Sequence, residues 1–512
     1  MDEVTEDRSL VFLFSLYERV HLGYITARLA LLTRSTATPG SSSNMNSASI
    51  PLNSRALISV QLCFCLSAAA FSVPANAGDA RLRQRDKVLA AQSQSPANND
   101  FKFGKVDLEL LEQVGLLDKR LEREGLVLED DATNTYLNRV GQSLLVPRGL
   151  TLENVTWRFR ALRDSQPNAF ALPNGSVYVS TGMMTLMDNE SQLAAVLAHE
   201  MTHVLRRHTY LQNRSNRKKF LTMNIMAAVG AYAPGGVAGA VITIVTAVAP
   251  FIVMATMYGY SRDLEREADL KGIDMMLAAE YPPEEMVSVM KLLNRDIEGE
   301  NIRLFYNDHP ALDERIKYLT SYLGARADKV TPQMELNREK AAYFRKLEPV
   351  MRHDIQLAIN AGRFRSAVFL AERLADFHPD SENIFWVGEA YRTLGPRSTQ
   401  LTERELTNSA KKDAAKKREK RTVEEEEREL LATPAGQENW KLHQQKAEES
   451  YRKAATIENP VAVAHRGLGM LYEKLSRSTE AVAEYEKYLE MLPAATDRER
   501  IQKRITSLRK TP

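Results

Sequence analysis

His199, Glu200 and His203 occupy the run Leu197-Ala-His-Glu-Met-Thr-His-Val204. On a helix, side chains four positions apart share a face, so two imidazoles at this spacing can converge on one metal ion. Glu200, one position along, then reaches water held beside them. Zinc bound in this way lowers the pKa of water from about 15.7 toward about 7, and a carboxylate placed like Glu200 can take the proton as the oxygen attacks a peptide carbonyl. The spacing predicts a hydrolase with one Zn2+ per chain.

A catalytic zinc takes three protein ligands and keeps one position open. The stretch from Ser261 to Gly272 offers Asp263, Glu265, Glu267 and Asp269. Glu265 and Asp269 are four apart and share a helical face, whereas Asp263 and Glu267 fit that face poorly. Glu265 is therefore the expected third ligand. Asp269, one turn on, is the expected outer carboxylate that orients a ligand histidine through its other ring nitrogen. The alternative reading is an ordinary charged helix surface.

These residues need two helices. From Asn189 to His208 there is no Gly or Pro, and Leu193, Val196, Leu197 and Val204 recur at helical spacing, which predicts a buried helix. Arg206, Arg207 and His208 are expected to close it with positive charge, where the helix dipole favours cations.

With these motifs the chain resembles the HtpX/BepA-type gluzincin peptidases, metallopeptidase family forty-eight, which includes the CAAX prenyl proteases. The resemblance extends to Asn168-Ala-Phe-Ala-Leu-Pro173-Asn-Gly175, to the Glu265 to Asp269 segment, and to His309-Pro310 with Arg315. It implies that His199, His203 and Glu265 are the zinc ligands and Glu200 the general base. It also implies that His309 stands at the active site, either aiding the transition state or occupying the open zinc position in a resting form. Arg315 is its expected companion, or else the partner of an acidic helix residue. Asn168, Ala169 and Phe170 open an alternating stretch with a turn at Pro173-Asn-Gly175. That stretch reads either as an edge strand holding extended substrate by main-chain hydrogen bonds or as a plain hairpin.

The remaining sequence frames this unit. Its 512 residues, 44% hydrophobic and 26% charged, suit a multidomain globular protein, and the net charge of +2 argues against capture of nucleic acid. The apolar run from Ala56 to Phe71, ending at Ala75-Asn-Ala77, reads as a signal peptide starting at Met45, with a membrane anchor as the alternative. It contains both cysteines, Cys63 and Cys65, so cleavage after Ala77 would leave none. Residues 1–44 are given no fold. The stretch from Phe220 to Ser261 carries no charge but is interrupted by Pro234 and Pro250. It is expected to form a buried helical pair or a flap touching the membrane surface, with insertion as the alternative.

Beyond residue 340 a repeat of tetratricopeptide (TPR) type is expected. Its clearest copy holds Leu468-Gly469, Tyr472, Ala481, Tyr485 and Pro493, and earlier copies include Ala367 with Pro379, Gly388 with Tyr391, and Ala447 with Tyr451. The expected fold class is thus mainly α with a small β-sheet (α+β), a zincin domain followed by an α-solenoid. The expected boundaries are a signal peptide at 45–77, a linker at 78–104, the metalloprotease domain at 105–325, a linker at 326–340, and repeats at 341–512 with a charged insertion at 398–437. This order resembles the BepA-like branch. That resemblance implies a periplasmic protease in outer-membrane protein quality control, acting on unfolded or stalled outer-membrane proteins, with the repeat groove engaging the assembly machinery. A TPR adaptor with a lapsed protease domain and a membrane-embedded HtpX-type protease are the competing readings.

Overall fold

Leu110, Val114, Leu117 and Leu121 recur at helical spacing, and they form the buried stripe of α1 (Lys105–Arg123). The computed structural model describes residues 101–146, 152–214, 260–294, 312–324, 330–399 and 422–510, within a compact unit running from Ser95 to Pro512. The 1–44 and 45–77 segments, residues 215–259, His309 and residues 400–421 lie outside the described residues.

After α2 (Asp131–Leu145) the chain forms a sheet of β1 (Arg158–Leu162), β2 (Ala169–Ala171) and β3 (Ser176–Ser180) in the order β1-β3-β2. β1 runs parallel to β3, with Phe159 beside Val177. β2 runs antiparallel to it, with Phe170 beside Tyr178. Alternation sends Phe170, Tyr178 and Leu162 toward the α1 stripe, while Phe159, Ala161, Val177 and Val179 face α2 and the long helix described next. The β2–β3 turn needs Gly175: its φ is 94°, and a Cβ there would lie 2.7 Å from Val155 Cγ1. Asp118 of α1 locks this hairpin, accepting hydrogen bonds from Asn174 Nδ2 (2.7 Å), Ser176 Oγ (2.8 Å) and the Tyr178 hydroxyl (2.8 Å).

α3 (Thr181–Leu186) leads into α4 (Glu190–Leu205), which is buried at all of its positions. α5 (Arg262–Ala278) and α6 (Glu285–Asn294) pack against it, and α7 (Leu312–Gly324) packs against α5 and α6. The described residues beyond it form helices: α8 (Pro332–Leu336), α9 (Lys340–Asn360), α10 (Phe364–Phe377), α11 (Ser381–Leu394), α12 (Val423–Leu431), α13 (Pro434–Thr456), α14 (Ala462–Lys474), α15 (Ser478–Met491) and α16 (Arg498–Leu508). From α9 onward each long helix packs on its sequence neighbours, with α11 joined to α13 across the insertion. Small residues set these contacts: Cβ atoms at Gly388 and Gly467 would come within 2.7 and 2.4 Å of the buried Tyr451 ring. The fold is mainly helical with one small sheet, as the residue patterns predict.

Three of the segments expected to lie outside the repeats and the protease domain carry structure of their own. The segment expected as a linker over 78–104 ends in packed residues, because Phe101 and Phe103 meet the Tyr210 ring at tilted and edge-on angles. Within the 326–340 linker, α8 is ordered, and the Asn337 carbonyl accepts from both the backbone N–H and the hydroxyl of Ser191 at the start of α4. The charged insertion expected over 398–437 includes α12, which a Thr422/Glu425 capping box initiates, and the first turn of α13. A single cluster of buried side chains runs from Tyr136 through α4 to Ile505, so the C-terminal helices share the core of the preceding unit. None of the described helices is long and apolar enough to cross a membrane.

Candidate metal centre

α4 starts where Asn189 accepts a hydrogen bond from the Gln192 N–H (2.9 Å) and runs without Gly or Pro through His199 and His203. The two rings sit one turn apart, 4.8 Å between centroids. α5 approaches at Gly272, where a Cβ would meet the His199 backbone nitrogen at 3.4 Å and the Met286 side chain at 3.1 Å. This close approach brings Glu265 to the imidazoles. His199 Nε2 is 3.2 Å from His203 Nε2 and 3.5 Å from Glu265 Oε2, and His203 Nε2 is 3.6 Å from Glu265 Oε1.

These edges test the fit to a metal. Tetrahedral bonds of about 2.0–2.1 Å require donor edges of about 3.3–3.4 Å; the imidazole edge is 3.2 Å, and each imidazole has one Glu265 oxygen within 3.6 Å. Charge agrees with geometry. Glu200, Glu265 and Asp269 are buried together with a single guanidinium, that of Arg315, so acidic side chains outnumber the arginine there, as a cation site requires. His199, His203 and Glu265 are one of two groups among the described residues whose side chains could hold a metal. The other, Glu348, His378 and Asp380, is more exposed, and Arg352 donates to both of its carboxylates.

Outer contacts fix the donors. Asp269 Oδ1 accepts from His199 Nδ1 (2.9 Å), which directs the lone pair of His199 Nε2 toward His203 and Glu265. Arg315 donates to Asp269 from Nε (2.9 Å) and Nη2 (2.6 Å), and its Nη1 lies 3.1 Å from Glu265 Oε2. The Tyr318 hydroxyl also donates to Asp269. Burial would raise the Asp269 pKa, but the Arg315 charge and the His199 bond overcome it and hold it below the usual carboxylate value. Burial works against protonated His199 as well, yet its bonds to Asp269 and Glu265 raise it to about 9.

The structure brings together Glu200, His199, His203, Glu265, Asp269 and Arg315. Arg315, grouped with the catalytic residues in the sequence reading, is seen bonding the two carboxylates, the second of the roles considered for it. His309 lies outside the described residues. Beside His199 and Glu200 a narrow crevice is lined by Val196, Met286, Val289, Met290, Leu293 and Leu312.

For the substrate strand, the structure separates the three named residues. Asn168 pairs inward: its N–H donates to Ser180 Oγ (2.8 Å) and its carbonyl accepts from the Ser180 N–H (2.8 Å). Leu172 likewise donates to the Ser176 carbonyl (2.8 Å), so alternation turns the Phe170 peptide groups toward β3 as well. The Phe170 ring packs on Tyr178. The outward main-chain groups are those of Ala169 and, unanticipated, Ala171, on an edge with no partner strand among the described residues.

Sequence reasoning missed a second set. Of the three residues expected to close α4 with positive charge, Arg206 caps it and Arg207 follows, but His208 departs from that role. Arg207 takes a left-handed φ of 57°, and a new helical run begins at 208. Burial pushes the His208 pKa down, which favours the neutral ring. His208 Nδ1 lies 2.9 Å from His203 Nδ1, and its Nε2 lies 3.3 Å from Glu267 Oε2. Tyr260 stacks on His203 at 3.8 Å. No sequence signal marked His208, because on an unbroken helix it would sit about 140° around the axis from His203.

Comparison with known proteins agrees with this geometry. The family model described as Peptidase family M48 matches residues 131–323. The chain is 27% identical over 222 residues to the mitochondrial metalloendopeptidase OMA1 of Schizosaccharomyces pombe, covering 43% of this chain and 59% of that protein. It is 26% identical over 187 residues to the beta-barrel assembly-enhancing protease of Escherichia coli, covering 34% of this chain and 35% of that one. A putative beta-barrel assembly-enhancing protease of Vibrio cholerae is 26% identical over 233 residues, covering 43% and 42%. The chain spans little more than half the length of these curated relatives at most. The matched segment encloses the His-Glu-His helix, the Glu265 helix and Arg315, so this part of the chain is similar to the M48 metallopeptidases.

Proposed function

We propose that this protein is a zinc-dependent endopeptidase of the bacterial periplasm that removes misfolded or stalled outer-membrane proteins. The observation that carries the catalytic part is the convergence of His199, His203 and Glu265 in a buried pocket that also holds Glu200. Two neutral imidazoles and a carboxylate suit zinc better than a hard cation such as calcium. A zinc ion held there supplies the Lewis acidity that ionises water near neutral pH and polarises a peptide carbonyl. Glu200 takes the water proton on its carboxylate and returns it to the leaving amine nitrogen. The outward peptide groups of Ala169 and Ala171 bind an extended chain as an added strand, which favours substrates lacking structure and tolerates varied sequence. The apolar crevice beside Glu200 receives one substrate side chain, and His309 is assigned to the same site as a regulator of access or an aid to the transition state.

The setting rests on other support. Two of the relatives are named for beta-barrel assembly, and the apolar run ending at Ala77 suits export. OMA1 relatives are named as mitochondrial, so the periplasmic assignment leans on that leader and on the C-terminal helices. Successive helix pairs with ring-accepting glycines at Gly388, Gly467 and Gly469 support a TPR array whose groove engages the assembly machinery. The uncharged stretch from 220 to 261 supplies contact with a membrane surface.

The test is bound zinc and casein cleavage of the full chain beside Glu200→Gln. The expected result is about one zinc in both proteins, with cleavage lowered about 10²- to 10⁴-fold in the variant. Equal cleavage by both proteins rejects the mechanism.

A further inference from the structure

His203 raises a question that His199 does not. The outward nitrogen of His199 meets the carboxylate of Asp269, a pure acceptor, so its tautomer is fixed. The outward nitrogen of His203 meets another imidazole, that of His208, and two imidazole nitrogens 2.9 Å apart hydrogen-bond only if one carries a proton and the other does not. Nothing in that pair alone decides the direction.

The far side of His208 decides it. Its Nε2 faces Glu267 Oε2 at 3.3 Å, and the other oxygen of Glu267 accepts from the Arg206 guanidinium. A carboxylate paired with an arginine only accepts, so His208 Nε2 must carry a proton. The proton that a ring ligating metal through Nε2 keeps on Nδ1 then has one acceptor beside it, the His208 Nδ1 lone pair. His203 Nδ1 must donate to it, leaving the His203 Nε2 lone pair aimed at His199 Nε2 and Glu265. Glu267, His208 and His203 are all buried or nearly so, with His208 fully enclosed. Tyr260 stacks on the His203 ring at 3.8 Å with 17° between planes, and its hydroxyl is tied to Thr209 at 2.9 Å, so the ring cannot turn away.

We propose that His208 and Glu267 form a carboxylate–histidine relay that sets the tautomer and orientation of His203 for metal binding, making both of them positioning residues. The relay rests on the metal reading given above. It differs in form from the Asp269 contact to His199, since one ligand meets its carboxylate directly and the other through a second ring. The left-handed turn at Arg207 exists in this scheme to swing His208 onto the outer edge of His203.

Replacement of His208 separates orientation from bulk. His208→Leu fills the space but removes the acceptor, whereas His208→Asn restores an acceptor oxygen near the position of Nδ1. Zn2+ alone is the probe, measured on the full chain by competition with a chromophoric chelator, with Co2+ absorption reporting ligand geometry. Zinc affinity is expected to fall about 10- to 100-fold in His208→Leu, with an altered Co2+ spectrum, and to recover at least severalfold in His208→Asn. Glu267→Ala, on the other helix, is expected to weaken zinc in the same direction, which keeps the test open should His208→Leu fail to fold. Wild-type affinity in folded His208→Leu or Glu267→Ala overturns the relay, as does His208→Asn binding no better than His208→Leu. A wild-type chain that takes up no zinc removes the metal reading itself.

Discussion

Replacing Asp354 by Asn should change stability in a way that depends on pH. Asp354 lies on α9, is 2% exposed, and faces α3 immediately before the metal-binding helix. Its Oδ1 is 2.7 Å from Thr181 Oγ1, which is 2.8 Å from the Asp164 carbonyl, and its Oδ2 is 2.7 Å from Thr185 Oγ1. Thr181 has one hydroxyl proton and two acceptors in reach. The conflict disappears when Asp354 is protonated: its O–H donates to Thr181, Thr181 donates to the carbonyl, and Thr185 donates to the other carboxyl oxygen. Burial pushes the Asp354 pKa up to about 7, against the two threonine bonds and the Arg363 charge, which pull it down, while Asp164 adds to the rise.

A folded pKa above the unfolded value of about 3.9 means that the folded state holds this proton more tightly. The stabilisation is fully present below about pH 3.9, declines as pH rises, and is lost above about 7. Three pKa units at 1.36 kcal/mol each give about 4 kcal/mol in all, of which about 2.5 kcal/mol falls between pH 5 and 8. Asn presents an N–H where the acid presents O–H and does not titrate. Urea unfolding of both proteins at pH 5 and pH 8 should therefore show Asp354→Asn gaining about 2.5 kcal/mol relative to wild type across that interval. A difference that stays constant within about 0.5 kcal/mol refutes the protonated network.

Two further substitutions probe how the site is held. Arg315→Ala leaves Asp269 and Glu265 buried without their guanidinium, and a loss of about 3–5 kcal/mol in urea unfolding of the metal-free chain is expected. Arg315→Lys should recover only part of it, because one ammonium cannot reproduce the paired bonds to Asp269. Arg373 of α10 donates to the carbonyls of Thr185, Leu186 and Met187 and to Asp188, closing the end of α3. Arg373→Ala should cost about 3 kcal/mol by the same assay, and an unchanged midpoint would dismiss this contact as a pin between the C-terminal helices and the strand-and-helix unit.

The chemistry at the centre was legible because it is local. His199, Glu200 and His203 lie on one turn of helix, and Glu265 with Asp269 on another, so a periodicity of 3.6 residues is enough to group each set. The same holds for the turn at Gly175. Elsewhere the deciding fact is a long-range contact or a break in regularity. The peptide groups of Asn168 and Phe170 turn inward because β3 lies on that side, and their own residues do not encode which neighbour a strand will have. The segments first read as linkers are packed because Phe101, Phe103 and Asn337 find partners more than a hundred residues away.

The sequence by itself determined the donor atoms, their spacing along each helix, and hence the kind of ion they suit. Only the tertiary structure decided that the two helices meet at Gly272, that Arg315 bridges both carboxylates, and that a left-handed residue at 207 swings His208 behind His203. The reason is one of range. Helical periodicity relates residues within a turn or two, whereas the tautomer of a ligand ring depends on whatever folds against its far side.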